Sequence, residues 1–254
     1  MKHLYILALL LGFSLSNVMA QKIEVGSCTL KDGGIYTGEL KSGKPSGKGR
    51  VQYENGDTYE GSFEKGMRQG EGTFTAADGS RYTGSWMKNE KNGKGTFFAV
   101  NNNRYEGFWL RNNKEGRGKM YYYNGDVYDG MWKNDVRNGK GRYTYKSGAY
   151  YDGEWADDQK NGKGIFDWND GSKYEGSWLN NQRNGRGTYI YADGDYYYGD
   201  WKNDMQDGKG VYKFRNGDVY EGQYVMGERT GEGVFRFANG DSYVGNFLNG
   251  EQSG

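Results

Sequence analysis

Residues 55–74 read NGDTYEGSFEKGMRQGEGTF, five glycines among three aromatic rings. Gly70 and Gly72 form a Gly-x-Gly, a pattern that cradles phosphate when it joins a strand to a helix. No helical periodicity follows it, and the motif does not stand alone. Tyr59-x-Gly61 returns as a Tyr-x-Gly beginning at Tyr36, Tyr82, Tyr105, Tyr128, Tyr151, Tyr174, Tyr197, Tyr220 and Tyr243, 23 residues apart every time. A fixed period of this length is the signature of a repeat architecture.

With each of these tyrosines as position 1, position 5 is Trp86, Trp109, Trp132, Trp155, Trp178 and Trp201 in the central repeats and Leu, Phe or Tyr in the outer ones. Positions 12 and 14 are the Gly-x-Gly, position 16 is aromatic or apolar, and position 21 is glycine except at Asn102. The Gly-x-Gly is therefore a feature of the array, and a nucleotide loop is excluded. Cys28 falls on position 16, which assigns it to an apolar slot rather than to a lipid anchor. Gly254 falls on position 12, so the last repeat stops half-way, as a fragment or as an exposed edge.

Tyr-x-Gly-x-Trp, a polar loop, Gly-x-Gly, an aromatic and then Asn/Asp-Gly closely resembles the MORN repeat over residues 26–254. The resemblance implies successive β-hairpins in a long twisted sheet, and binding or scaffolding roles. The family takes its name from a proposed membrane association. The fold expected is all-β, an elongated single-layer antiparallel meander of about ten 23-residue hairpins, with residues 21–254 forming the array.

Alternation predicts two strands per repeat, A over positions 22 to 5 and B over positions 12 to 18. Tyr, Gly and Trp at 1, 3 and 5 share a face, as do 14, 16 and 18 on strand B. Both aromatic sets lie on one side only if the hairpin loop has three residues, 19 to 21, with left-handed glycine at 21. Gly61 then faces Gly72, leaving room for the rings of Tyr59 and Phe63 to lie flat on backbone. On the other face this register opposes Arg50 with Glu60, Lys119 with Asp129, Arg142 with Asp152, Lys140 with Glu154, Asp167 with Lys173 and Arg186 with Asp200. The same parity across the longer loop opposes Glu39 with Lys48, Glu106 with Lys119, Asp129 with Arg142, Glu154 with Lys163 and Asp200 with Lys209, with no like-charge pair. Position 8 of that loop is always Gly, Asn or Asp, residues that tolerate positive φ.

Residues 1–20 read as a signal peptide, with Lys2, an apolar run from Leu4 to Leu15, and Val18 and Ala20 before a cut at Gln21. Export to the periplasm, cell surface or medium is expected. Removing Lys2 from 34 basic residues leaves 33 against 33 acidic ones, a balance that speaks against nucleic acid and gives an anionic membrane little to hold. His3, the only histidine, is lost with the same segment, so no imidazole remains for a triad or a metal. No carboxylate pair breaks the period as a glycosidase pair would. The expectation is a non-catalytic protein without cofactor or metal.

Candidate binding residues are those that break the pattern on the polar face. Phe108 and Met131 occupy position 4, and Phe98 and Tyr121 occupy position 17, where the other repeats are mostly polar. With Tyr123, Val100 and Tyr150 they form an expected apolar patch. Ile190, Tyr196 and Tyr198 form a smaller second one. A protein partner, or a second copy of the chain, is the leading expectation. Sugars stacked on the ladder of Trp86, Trp109, Trp132, Trp155, Trp178 and Trp201 are the first alternative, and a phospholipid surface the second.

Overall fold

A computed structural model describes residues 23–253. Twenty-one antiparallel strands, from Ile23–Thr29 to Glu251–Ser253, form one open sheet in which each strand pairs with its neighbours in sequence. At ~4.8 Å per strand the stack is about 100 Å long. The expected signal peptide, residues 1–20, lies outside the described residues.

The short hairpin is as parity requires. Val51 pairs with Tyr59 and Gly49 with Gly61 around a loop closed by Tyr53 N–H to Asp57 O at 3.0 Å. Position 21 is left-handed throughout, with Gly56 at φ 92° and the exceptional Asn102 at φ 64°.

The longer connection differs from expectation. Strand B begins at position 9, as in Lys44–Gln52 and Met67–Thr75, and strand A runs to position 6. What remains between them is a two-residue turn with positive φ at both residues, 47° at Arg111 and 72° at Asn112, which is the twist-matched hairpin geometry. The extra residues enter the sheet as a bulge. Gly130 pairs with Gly141, yet Trp132 already pairs with Arg137. Gly139, at position 12, takes φ 97° inside this bulge. The two glycines of each Gly-x-Gly thus do different work: the first bends the strand and the second leaves space.

Tyr128 fills that space. A Cβ on Gly141 would fall onto its ring, and one on Gly130 would sit 2.5 Å from the Gly141 Cα. The ring at position 5 does not lie flat as expected. Phe63 and the tryptophans stand on edge instead, each between two tyrosines. Trp132 is 5.3 Å from Tyr105 and 5.2 Å from Tyr128, at interplanar angles of 86° and 87°. The contact repeats from Tyr36–Phe63 to Tyr243–Phe247, an edge-to-face zigzag the length of the sheet. Each such pair adds ~0.5–1.5 kcal/mol beyond the area buried.

The polar tips explain why these rings are Tyr and Trp. The bulge leaves position 4 without a partner on one side, and the Tyr128 hydroxyl donates to the Met131 carbonyl at 3.0 Å. The Trp132 indole N–H donates to the Gly118 carbonyl at 3.1 Å. A buried polar atom left unpaired would cost ~1–3 kcal/mol, so both tips are satisfied inside the layer. Indoles and phenols share one side of the sheet.

Eight of the eleven expected charge pairs are direct cross-strand neighbours, including the stripe Glu106, Lys119, Asp129, Arg142, Asp152. Glu39–Lys48, Glu154–Lys163 and Asp200–Lys209 fall in bulges. There the Glu39 and Asp200 carboxylates accept the backbone N–H of Lys48 and Lys209, each at 3.1 Å. Among the described residues there is one like-charge pair. Lys41 faces Lys44 across a two-residue turn, at positions assigned to loop by the sequence.

Candidate functional site

The two faces of the sheet differ in what they offer. On the aromatic side the tyrosines at position 1 from Tyr36 to Tyr220 are fully buried, and Trp86, Trp109, Trp132, Trp155, Trp178 and Trp201 are only 4–6% exposed. No second layer of backbone covers them. A row of cations at position 10 does so: Arg68, Lys91, Lys114, Arg137, Lys160 and Arg183 each lie 4.2–4.6 Å from the centroid of an indole. Long stems of this kind cover apolar surface while the charged head reaches water. Burial pushes the Tyr59 phenol up to about 12 and pulls the Lys91, Lys114 and Lys160 ammoniums below their usual range. The ladder therefore has no free indole face for a sugar to stack on, and the glycan expectation loses its premise.

The cation row escaped the sequence reading because positions 9 to 11 were assigned to a loop. The signal was present as a basic residue at a fixed offset. Beyond the ladder, positions 16 and 18 carry a second run of tilted rings, from buried Phe166 and Phe235 to exposed Phe237. It passes from Tyr122 and Tyr143 through Tyr145, Phe166 and Trp168 to Phe235 and Phe237.

The polar face holds the residues singled out by sequence. Phe108 is 43% and Met131 40% exposed, in the row formed by positions 4 and 13. Lys94 lies opposite Phe108, and Arg117 opposite Met131. Phe98, Tyr121 and Tyr150 are half-buried and lie in a different row, positions 17 and 23. Guanidinium groups rest on them: Arg81 at 5.0 Å from Phe98, Arg104 at 4.1 Å from Tyr121 and Arg142 at 4.1 Å from Tyr150. The stripe from Glu106 to Asp152 separates the two rows, so the residues share a face without forming one apolar surface. Tyr123 and Val100 project from turns, 74% and 61% exposed.

Further along, the same face opens into a cleft of about 690 Å³. Its floor is the backbone of Gly153, Gly164, Gly176 and Gly187, whose absent side chains would lie on the aromatic side. Lys140, Glu154 and Arg186 line it in the row that holds Phe108 and Met131, with Asp152, Glu175 and Tyr198 facing them. Ile190 and Tyr196, of the second expected patch, pair with one another in the outer row. Among the described residues no group of His, Cys, Asp and Glu could hold a metal ion. Cys28 is a free thiol, opposite Tyr36 and packed against the ladder's first rings.

Nine consecutive segments, from 36–58 to 220–242, match the MORN repeat. The chain belongs to the MORN repeat family. It is a repeat-built protein of the binding and scaffolding kind. No curated protein sequence matches it. Among solved structures, the wild-type TCP10 domain of CPAP from Danio rerio is similar, with 14% identity, a TM-score of 0.45, and coverage of 78% of this chain and 94% of that one. The SAS-4 (dCPAP) TCP domain of Drosophila melanogaster, solved with a proline-rich motif of Ana2, has 14% identity and a TM-score of 0.38, covering 68% and 88%. A virginiamycin B lyase from Staphylococcus aureus has 10% identity and a TM-score of 0.17, covering 90% and 86%. Position by position, the MORN frame places this chain's bare backbone, rings and cations on one face and its variable side chains on the other.

Proposed function

We propose that this MORN protein is exported and docks a protein segment along its polar face, centred on Phe108 and Met131. The observation that carries the reading is the contrast between faces. Every ladder ring is covered, whereas Phe108 and Met131 stand out in the row that continues as a wall of the glycine-floored cleft. An extended segment laid along that row meets two apolar anchors and then charged walls of both signs. Two exposed apolar side chains flanked by cations are a small contact, suited to a partner held also by the cleft.

The test places a photo-cross-linking side chain at position 108 and, as a control, at position 237, an exposed ring on the aromatic side, in chain produced by its native host. Protein adducts specific to position 108 and lost with Met131→Ser support the reading. Equal capture at both positions overturns it, and only self-adducts together with a dimer in light scattering replace it by self-association. Export is tested on the same material: a mature chain starting at Gln21 is expected outside the cytoplasm.

A further inference from the structure

On the aromatic side, position 18 holds a ring beside the position 16 ring in most repeats, as in Tyr122, Tyr145, Trp168, Tyr191 and Phe214. At Ala76 and Ala99 that ring is missing, and only after Ala99 is the next position 16 a methionine, Met120, rather than an aromatic. The two changes leave a pocket of about 330 Å³ between repeats, in the size range where small-ligand pockets begin. Phe97, Ala99, Trp109 and Met120 give it an apolar floor, and Lys91 stands at its wall.

Two cations, Lys91 and Lys114, and one carboxylate, Asp135, line this pocket, which leaves it one positive charge in excess. In the two repeats that follow, the position 10 cation has a carboxylate, Lys114 at 3.9 Å from Asp135 and Arg137 at 2.8 Å from Asp158, whereas Arg68, in the repeat before, meets Asn89. Lys91 meets Asn112 at that place instead, and among the described residues no carboxylate lies within 4.0 Å of its ammonium. Position 22, an aspartate in five repeats, is Asn103 here. The side-chain carbonyls of Asn101, Asn103 and Asn112 are engaged by backbone N–H groups at 3.2, 2.8 and 2.9 Å, so what each has left to offer is its amide NH2. A half-buried ammonium over rings, with amide donors at the rim, is complementary to one negative charge on an apolar body.

We propose that the pocket at Ala99 binds an apolar carboxylate, its hydrocarbon part filling the missing ring's place and its carboxylate meeting Lys91. Such a group exists as a free small acid and as the C-terminal residue of a polypeptide. This inference does not depend on docking at the polar face, which lies on the other side of the sheet.

Calorimetric titration of the purified protein tests it with three probes: 3-phenylpropionate, 3-phenylpropanol, and a short peptide ending in phenylalanine with a free carboxylate. Saturable binding of the acid is expected, about tenfold tighter than the alcohol, which converts to about 1.4 kcal/mol. Ala99→Tyr installs the residue that other repeats use there, so the sheet is expected to melt no lower, and acid binding to fall at least about tenfold. Lys91→Met is expected to remove the preference for acid over alcohol. A peptide that binds better than 3-phenylpropionate identifies the source as a chain terminus, and the reverse a free acid. No saturation by about 10 mM of either acid, an alcohol bound as well as the acid, or full binding by a stably folded Ala99→Tyr protein overturns the proposal.

Discussion

At the scale of single residues, the structure is an arrangement in which one side chain replaces two. Tyr105 lies where the side chains of Gly107 and Gly118 would be, and a Cβ on Gly107 would sit 2.6 Å from the Gly118 Cα. Neither the ring nor the backbone can yield without opening the ladder. Gly107→Val is therefore expected to destabilise by ~3 kcal/mol or more. Thr96→Val, on the polar face opposite Glu106, stays within ~0.5 kcal/mol. Urea unfolding of the two variants checks the order, and similar midpoints would refute it. This much was legible in the sequence, because a glycine recurring two residues after a tyrosine declares the space that it leaves. The edge-on stance of the tryptophans was not legible. It follows from the indole N–H reaching a carbonyl of the preceding repeat, and from ring quadrupoles that favour edge-to-face contact.

At the scale of the hairpin, the short loop was readable and the long one was not, for a physical reason. Left-handed geometry at position 21 selects glycine and so announces itself. At position 7 it is imposed on Ser42, Lys65, Arg111 and Met226, residues that carry no such signal. Strand residues 9 to 11 looked like loop because the side chain aimed at the rings is a lysine or arginine. Successive tight turns also clasp one another. Asn181 N–H donates to the Lys160 carbonyl at 3.0 Å, and its side-chain oxygen accepts the Lys160 N–H at 2.9 Å. Pro45, which has no N–H to give, faces Gly66, which has no side-chain acceptor, and only the backbone half of the clasp remains at 2.9 Å. With Asn181 at φ 70°, Asn181→Ala loses the acceptor and strains the turn, for a cost of ~2–3 kcal/mol. Asn181→Gly loses only the hydrogen bond, ~0.5–1.5 kcal/mol. Thermal melting should rank them native, glycine, alanine, and an alanine variant more stable than the glycine one would contradict this account. The apolar residues at positions 4 and 17 were visible in sequence. That they belong to different rows is a matter of four residues along a strand, ~13 Å, with a charged stripe between.

At the scale of the whole molecule, stability rests on contacts between neighbours, since each strand pairs only with those beside it in sequence and the ring contacts reach one repeat along. The phenols at position 1 couple this array to alkaline pH. Burial raises them, Tyr59 to about 12 and Tyr82, Tyr105, Tyr128, Tyr151, Tyr174 and Tyr197 further. The unfolded phenol gives up its proton near 10, so between there and the folded value the unfolded chain binds fewer protons than the folded one. Stability is then undiminished below pH 10 and falls as pH rises beyond it. A major step in phenolate absorbance should coincide with the loss of the β-sheet circular dichroism signal. Full ionisation of the tyrosines with the sheet intact would show that the ladder is not sealed. The orientation of the strands has a mechanical counterpart. They run across the long axis, so tension between the two ends loads the hydrogen bonds one after another rather than all together. Each hairpin that peels away exchanges ~10 Å of stacked sheet for ~75–80 Å of extended chain, so the array holds several times its own length in reserve.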